Sequence, residues 1–165
     1  MSNLIEKGLD QPHQPRLLGD IPIFRGGRLV GVKRRMSQFH APAKPNSAFR
    51  VLVVNDTADM ADLCAECLTS WGFQVATTYT GAAGLEAAQR MIPDLVLLNY
   101  LMPGLNGLQI MQLLRADSRT TGIKVIIHDV ESIGELAFRM GADDFLLLPF
   151  EPKTLFEKVS RAVRS

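Results

Sequence analysis

Few side chains in this 165-residue chain are placed to do chemistry, and the most informative of them is Asn99. It ends the apolar run Leu95 to Leu98 within PDLVLLNYLMPGLNG, positions 93–107. A run of that kind reads as a strand buried on both faces that presents one side chain at its carboxyl end. Met102-Pro103-Gly104 then turns the chain, and a helix is expected from Gly107. An amide carbonyl is a poor nucleophile, and it lacks the charge that would hold a divalent cation. Cys64 and Cys67 have the spacing of a redox pair. Such pairs sit at helix N-termini, where the dipole lowers the thiol pKa. These two fall well inside an expected helix and read as small core or surface thiols. His13, His40 and His128 lack metal-ligand spacing, no Ser-His-Asp set is legible, and TGAAG at Gly81 and Gly84 is not a phosphate-binding signature. No catalytic residue and no metal site are expected, and the chain does not read as an enzyme.

The elements that must position Asn99 alternate in type from Arg50 onward. Strands are expected at Val51–Val54, Gln74–Thr78, Asp94–Asn99, Lys124–His128 and Asp144–Leu148. Helices are expected at Ala58–Trp71, with Gly72 as its stop, and at Ala82–Met91, Gly107–Ala116, Ser132–Met140 and from Pro152 to the end. Five strands alternating with five helices imply a doubly wound α/β fold, a parallel sheet with helices on both faces.

Residues 1–48 differ in kind and form an N-terminal extension to a domain at 49–165. Residues 1–50 carry nine Lys and Arg against three Asp and Glu, a balance of +6, whereas residues 51–165 balance at −5. IPIFRGGRLVGV, Ile21 to Val32, is expected to form a hairpin about a Gly26-Gly27 turn, with Pro22 confining its strand to an edge. An isolated hairpin is marginal in water, so it packs on the domain or orders against something else. Ile21, Ile23, Phe24, Arg25, Arg28, Leu29, Lys33, Arg34 and Arg35 are the candidate contacts of such an arm with a protein partner. A nucleic-acid patch or a solvated leader are the other readings of this basic stretch. No apolar run approaches a membrane span and no signal core precedes residue 15, so a cytoplasmic protein is expected. The sequence ends soon after the fifth helix, so no output domain is expected on that side.

Three separated motifs, VLVVNDTAD, the Met-Pro segment around Asn99 and GADDFLLLPFEP, resemble the receiver domains of response regulators, the CheY-like superfamily. The resemblance covers residues 50–164 and implies a five-stranded sheet in the order 2-1-3-4-5. In that order the ends of the first and third strands flank the switch point, where such sheets place their sites, and Asn55, Asp56 and Asn99 would meet there. It also implies what is altered. Asn99 stands where the family has its phosphoacceptor Asp. Asn55 and Asp56 stand where an acidic pair holds magnesium, so the family's three acids are reduced to one. No cofactor is expected, and magnesium affinity is expected to be weak or absent.

Leu148 stands where a Lys pairs with the phosphoryl group, which removes a charge-assisted hydrogen bond of roughly 1.5–3 kcal/mol. The run Leu146 to Leu148 suggests that this corner is simply packed. Asp129, or His128 if the register slips by one, stands at the family's Ser/Thr. Asp129 reads as a built-in negative charge mimicking the modified state, or as a solvated loop residue or cap of the next helix. Phe145 stands at the family's relay aromatic and reads as a core ring without a hydroxyl. Between Asp129 and Leu148 the spacing is about three residues tighter than usual, close to one helical turn.

The reading that follows is a pseudo-receiver, a protein-binding module independent of phosphorylation. A homodimer through the fourth and fifth helices remains open. The alternatives are a working phosphorelay receiver with an unconventional acceptor such as Asp56, or nucleic-acid binding through the basic tail.

Overall fold

The computed structural model describes residues 20–25, 28–34, 48–130 and 133–165. The expected Gly26-Gly27 turn, Arg35, Ser132, His13 and His40 lie outside them. Strands β1 (Asp20–Arg25) and β2 (Arg28–Arg34) pair antiparallel from Asp20 opposite Arg34 to Arg25 opposite Arg28. Ile23 faces Gly31 while Phe24 faces Leu29, so Val30 is an extra residue and the ladder is bulged there. This hairpin and the sheet described next belong to separate compact units.

The second unit is built from β3 (Arg50–Val54), α1 (Ala58–Ser70), β4 (Gln74–Thr78), α2 (Gly81–Met91), β5 (Leu95–Asn99) and α3 (Gly107–Ala116). It continues with β6 (Lys124–Asp129), α4 (Gly134–Arg139), β7 (Asp144–Leu147) and α5 (Pro152–Ala162). All five strands are parallel in the order β4-β3-β5-β6-β7, the 2-1-3-4-5 arrangement. The order reverses between β3 and β5, whose carboxyl ends therefore part to leave a crevice.

Burial explains the composition of each strand. β5 is apolar from Leu95 to Leu98 because layers of side chains cover both its faces. Leu52, Val54, Val96, Leu98, Val125 and Ile127 share one core with Ile110, Met111 and Leu114 of α3 and the small Ala87 and Ala88 of α2. The alternate residues, among them Val51, Val53, Leu97 and Ile126, point to the opposite face and are equally buried. Trp71, at the end of α1, meets Phe156 of α5 edge-on with ring centroids 5.3 Å apart, so those two helices are neighbours.

The N-termini of α2 and α3 are fixed by polar side chains. Thr80 Oγ1 accepts the Ala83 N–H at 3.2 Å, and Asn106 and Gln109 form a reciprocal capping box on α3. α4 is the shortest of these helices at six residues. α5 stops at Ala162 rather than running to the end. Val163 and Arg164 close it with a tightened turn, Arg164 donating to the Arg161 carbonyl. Among the described residues no helix is long and apolar enough to cross a membrane.

Candidate functional site

The carboxyl ends of β3 and β5 bring Asn55, Asp56 and Asn99 to the crevice, and β6 adds Asp129 beside them. Asn99 Nδ2 donates to Asp56 Oδ1 at 2.9 Å and to the Leu101 carbonyl at 2.8 Å. Both partners are acceptors only, so the amide must turn its NH2 edge to them. At the head of the sheet Asn99 therefore presents an N–H donor, and one of its bonds engages an oxygen of the neighbouring acid. The loop after Asn99 folds back on itself: Tyr100 N–H donates to the His128 carbonyl and Gly107 N–H to the Tyr100 carbonyl. Gly107 is required by that close approach, because a methyl group there would stand 2.5 Å from the Asn99 carbonyl oxygen.

Asn55 is buried, and its Oδ1 accepts the Thr57 N–H at 2.8 Å, turning the chain into α1. A hard divalent cation needs several anionic oxygens with free lone pairs. Of the three side chains at the switch point, only Asp56 is a carboxylate, Asn55 Oδ1 is engaged by a backbone donor, and Asn99 presents N–H. This donor set does not fit magnesium. Among the described residues no group of three or more His, Cys, Asp or Glu side chains is arranged to hold a metal ion.

Asp129 corrects one expectation. It is neither a solvated loop residue nor a helix cap: it is 3% exposed, and β6 runs through it. The N-cap of α4 is Ile133. The carboxylate tolerates burial because Oδ2 accepts the Leu101 N–H at 3.2 Å, while its backbone carbonyl accepts the Leu148 N–H at 2.8 Å. One residue thus ties the loop after β5 and the loop after β7 to the end of β6.

The Leu146–Leu148 corner is a second correction. Leu146 is buried, Leu147 is 48% exposed and Leu148 is half-buried. Strand alternation turns every second side chain outward at this edge, so the run is not packed throughout. Phe145 is half-buried and packs on Gly134, where a Cβ would stand 3.1 Å from the ring. Cys64 and Cys67 are both buried in α1. Burial pushes the Cys64 thiol far above its ordinary value and Cys67 to about 11, the charge of Glu66 adding to the latter, so neither is a thiolate at neutral pH. Of the tail residues, Ile21, Ile23, Phe24 and Arg25 lie on β1, and Arg28, Leu29, Lys33 and Arg34 on β2.

His128 carries information that the residue order did not reveal. It is fully buried, sits opposite Asn99 in the β5–β6 register, and neither ring nitrogen has a hydrogen-bond partner among the described residues. Burial lowers its pKa from 6.5 to about 4, so the ring is neutral at pH 7. Its place inside the apolar run KVIIHD was the available signal.

Comparison with known proteins agrees with the fold. Residues 51–160 match the family model described as the response regulator receiver domain. The chain is 36% identical over 118 residues to the DNA-binding response regulator MtrA of Mycolicibacterium paratuberculosis, covering 70% of this chain and 51% of that protein. The chain thus spans about half the length of the curated relatives it matches. The response regulator domain of Thermotoga maritima CheB superimposes with a TM-score of 0.63 at 26% identity, over 71% of this chain and 97% of that one. The chemotaxis response regulator CheY4 of Vibrio cholerae gives 0.66 at 24% identity, over 69% and 98%.

Proposed function

The chain belongs to the response-regulator receiver family, and from that premise we propose that its receiver domain takes up no phosphate and acts by binding another protein. The observation that carries this reading is the bonding of Asn99. Its Nδ2 donates to Asp56 Oδ1 and to the Leu101 carbonyl, so the side chain that would attack a phosphodonor offers N–H instead of an anionic oxygen. Around it, the pocket provides no ammonium group at position 148, a carboxylate at 129 and no site suited to magnesium. Transition-state charge on a transferring phosphoryl group would meet little to stabilise it. On this reading the chain is not an enzyme, needs no cofactor and works in the cytoplasm. Its basic hairpin serves as an arm for a partner or an assembly. Exposed Leu136 and Phe138 on α4 support a homodimer through α4 and α5 as part of the same proposal.

The test is incubation of the pure protein with a small phosphodonor and magnesium, followed by intact-mass measurement. No acid-stable, base-labile adduct is expected. A stoichiometric one would overturn the reading, and its location on Asp56 would promote the unconventional-acceptor alternative.

The +6 balance of residues 1–50 supports a second reading, in which the basic stretch binds nucleic acid. Arg25, Arg28, Lys33 and Arg34 lie on the paired strands β1 and β2. Titration with duplex DNA at rising salt decides it, because phosphate-driven affinity falls steeply with ionic strength. Affinity for a protein partner held by Ile21, Ile23, Phe24 and Leu29 would instead vanish when those residues become Ser.

A further inference from the structure

Building on the reading of the domain as a protein-binding module, we propose that the loops at the carboxyl edge of the sheet dock a cationic peptide segment carrying an apolar anchor. These loops are residues 55–57, 79–80, 100–106, 130 with 133, and 148–151. Their described residues include no Lys, Arg or His. They hold Asp56 and Glu151, both exposed, and the acidic strip continues with exposed Asp59 in the first turn of α1.

The same edge is apolar where a phosphate-handling face needs polarity. Leu101 is 52% exposed and Val130 55%. Leu148 lies half-buried next to them. Asp129 links their backbones: it takes the Leu101 N–H on its side chain and the Leu148 N–H on its carbonyl, and Val130 follows it in the chain. The Leu101 carbonyl also accepts from Asn99, which binds Asp56, so the apolar patch and its acidic rim share one hydrogen-bonded network. That network is already satisfied without a ligand and holds the patch in shape.

This chemistry selects its occupant. An inorganic phosphate, a phosphopeptide or a nucleic acid would face carboxylates with no cation in these loops to offset them. A segment bearing Arg or Lys meets complementary charge at the exposed Asp56 and Asp59. An apolar side chain on the same segment covers Leu101 and Val130 and removes them from water. The exposed Leu136 and Phe138 lie elsewhere, on a helix that carries both Glu135 and Arg139.

The experiment uses the full chain, labelled for amide NMR, and three synthetic peptides of equal length patterned Arg/Leu, Glu/Leu and Arg/Ser. The Arg/Leu peptide is expected to shift the amides of Asp56, Leu101 and Val130 saturably. Val130→Lys and Leu101→Ser, both at exposed positions, are expected to weaken it about tenfold or more while the core amides stay in place. The proposal is overturned by equal shifts at these amides from the Glu/Leu or Arg/Ser peptide. Unchanged affinity in Val130→Lys overturns it too, as do shifts centred on Leu136 and Phe138 or the same shifts produced by duplex DNA. Peptide failure without a phosphoryl adduct removes only this surface, whereas an adduct removes the reading on which it rests.

Discussion

Acid should weaken this fold through His128, and the size of that contribution follows from where the residue sits. His128 is enclosed between β5 and β7, fully buried, with no hydrogen-bond partner for either ring nitrogen among the described residues. Folded, it takes a proton only near pH 4; unfolded, near pH 6.5. Between these values the unfolded chain binds more protons than the native one, so stability rises with pH across this window. The contribution is complete above pH 6.5, is lost as pH falls toward 4, and is flat below. The gap between the two pKa values corresponds to about 3 kcal/mol, a large part of the roughly 5–15 kcal/mol typical of a domain.

Urea denaturation followed by circular dichroism from pH 7 to pH 4, on wild type and His128→Leu, isolates the term, because the carboxylates titrate in both proteins. The variant is expected to be about 1–3 kcal/mol more stable at pH 7, since it removes two unpaired buried nitrogens. Its advantage should widen by about 3 kcal/mol at pH 4. Parallel pH profiles for the two proteins would show that His128 is solvated or paired in solution and would refute the reasoning.

Three other substitutions probe the crevice. Asn99→Asp exchanges two donated hydrogen bonds for a carboxylate facing Asp56, and it should cost about 1–3 kcal/mol at pH 7 by urea denaturation. The loss should shrink once acid protonates the new pair, and the variant should still form no phosphoryl adduct because Leu148 supplies no cation. Gly107→Ala forces a methyl group against the Asn99 carbonyl and should destabilise by about 1–3 kcal/mol, read as a lower urea midpoint at unchanged slope. Asp129→Ala leaves the Leu101 amide without its side-chain acceptor, so that amide should exchange with solvent markedly faster while those of β5 hold.

Much of the architecture was legible because its causes are local. Continuous apolar runs such as Val51–Val54 and Leu95–Leu98 need cover on both faces, and helical segments between them admit only a parallel, doubly wound sheet. The positions of Asn55, Asp56 and Asn99 at strand ends followed from the same pattern. What stayed hidden depends on contacts between loops distant in sequence. Nothing in the order of residues says that Leu101 N–H lies within reach of Asp129, yet that bond makes a buried carboxylate tolerable. Leu147 looked like core by composition and is turned outward by alternation at the edge strand β7. His128 was legible as a strand residue, but its missing partners required the packed neighbours to be known.

The central claim concerns the chemistry of position 99, and beryllofluoride with magnesium, a mimic of a bound phosphoryl group, addresses it most directly. Followed by amide NMR, wild-type protein is predicted to show no saturable shift of the Asn99 side-chain NH2 or the Leu101 amide at any ratio of the two ions to protein. A saturable shift of both signals would mean that the pocket assembles an anion and a cation despite its side chains, and would contradict a receiver that takes up no phosphate.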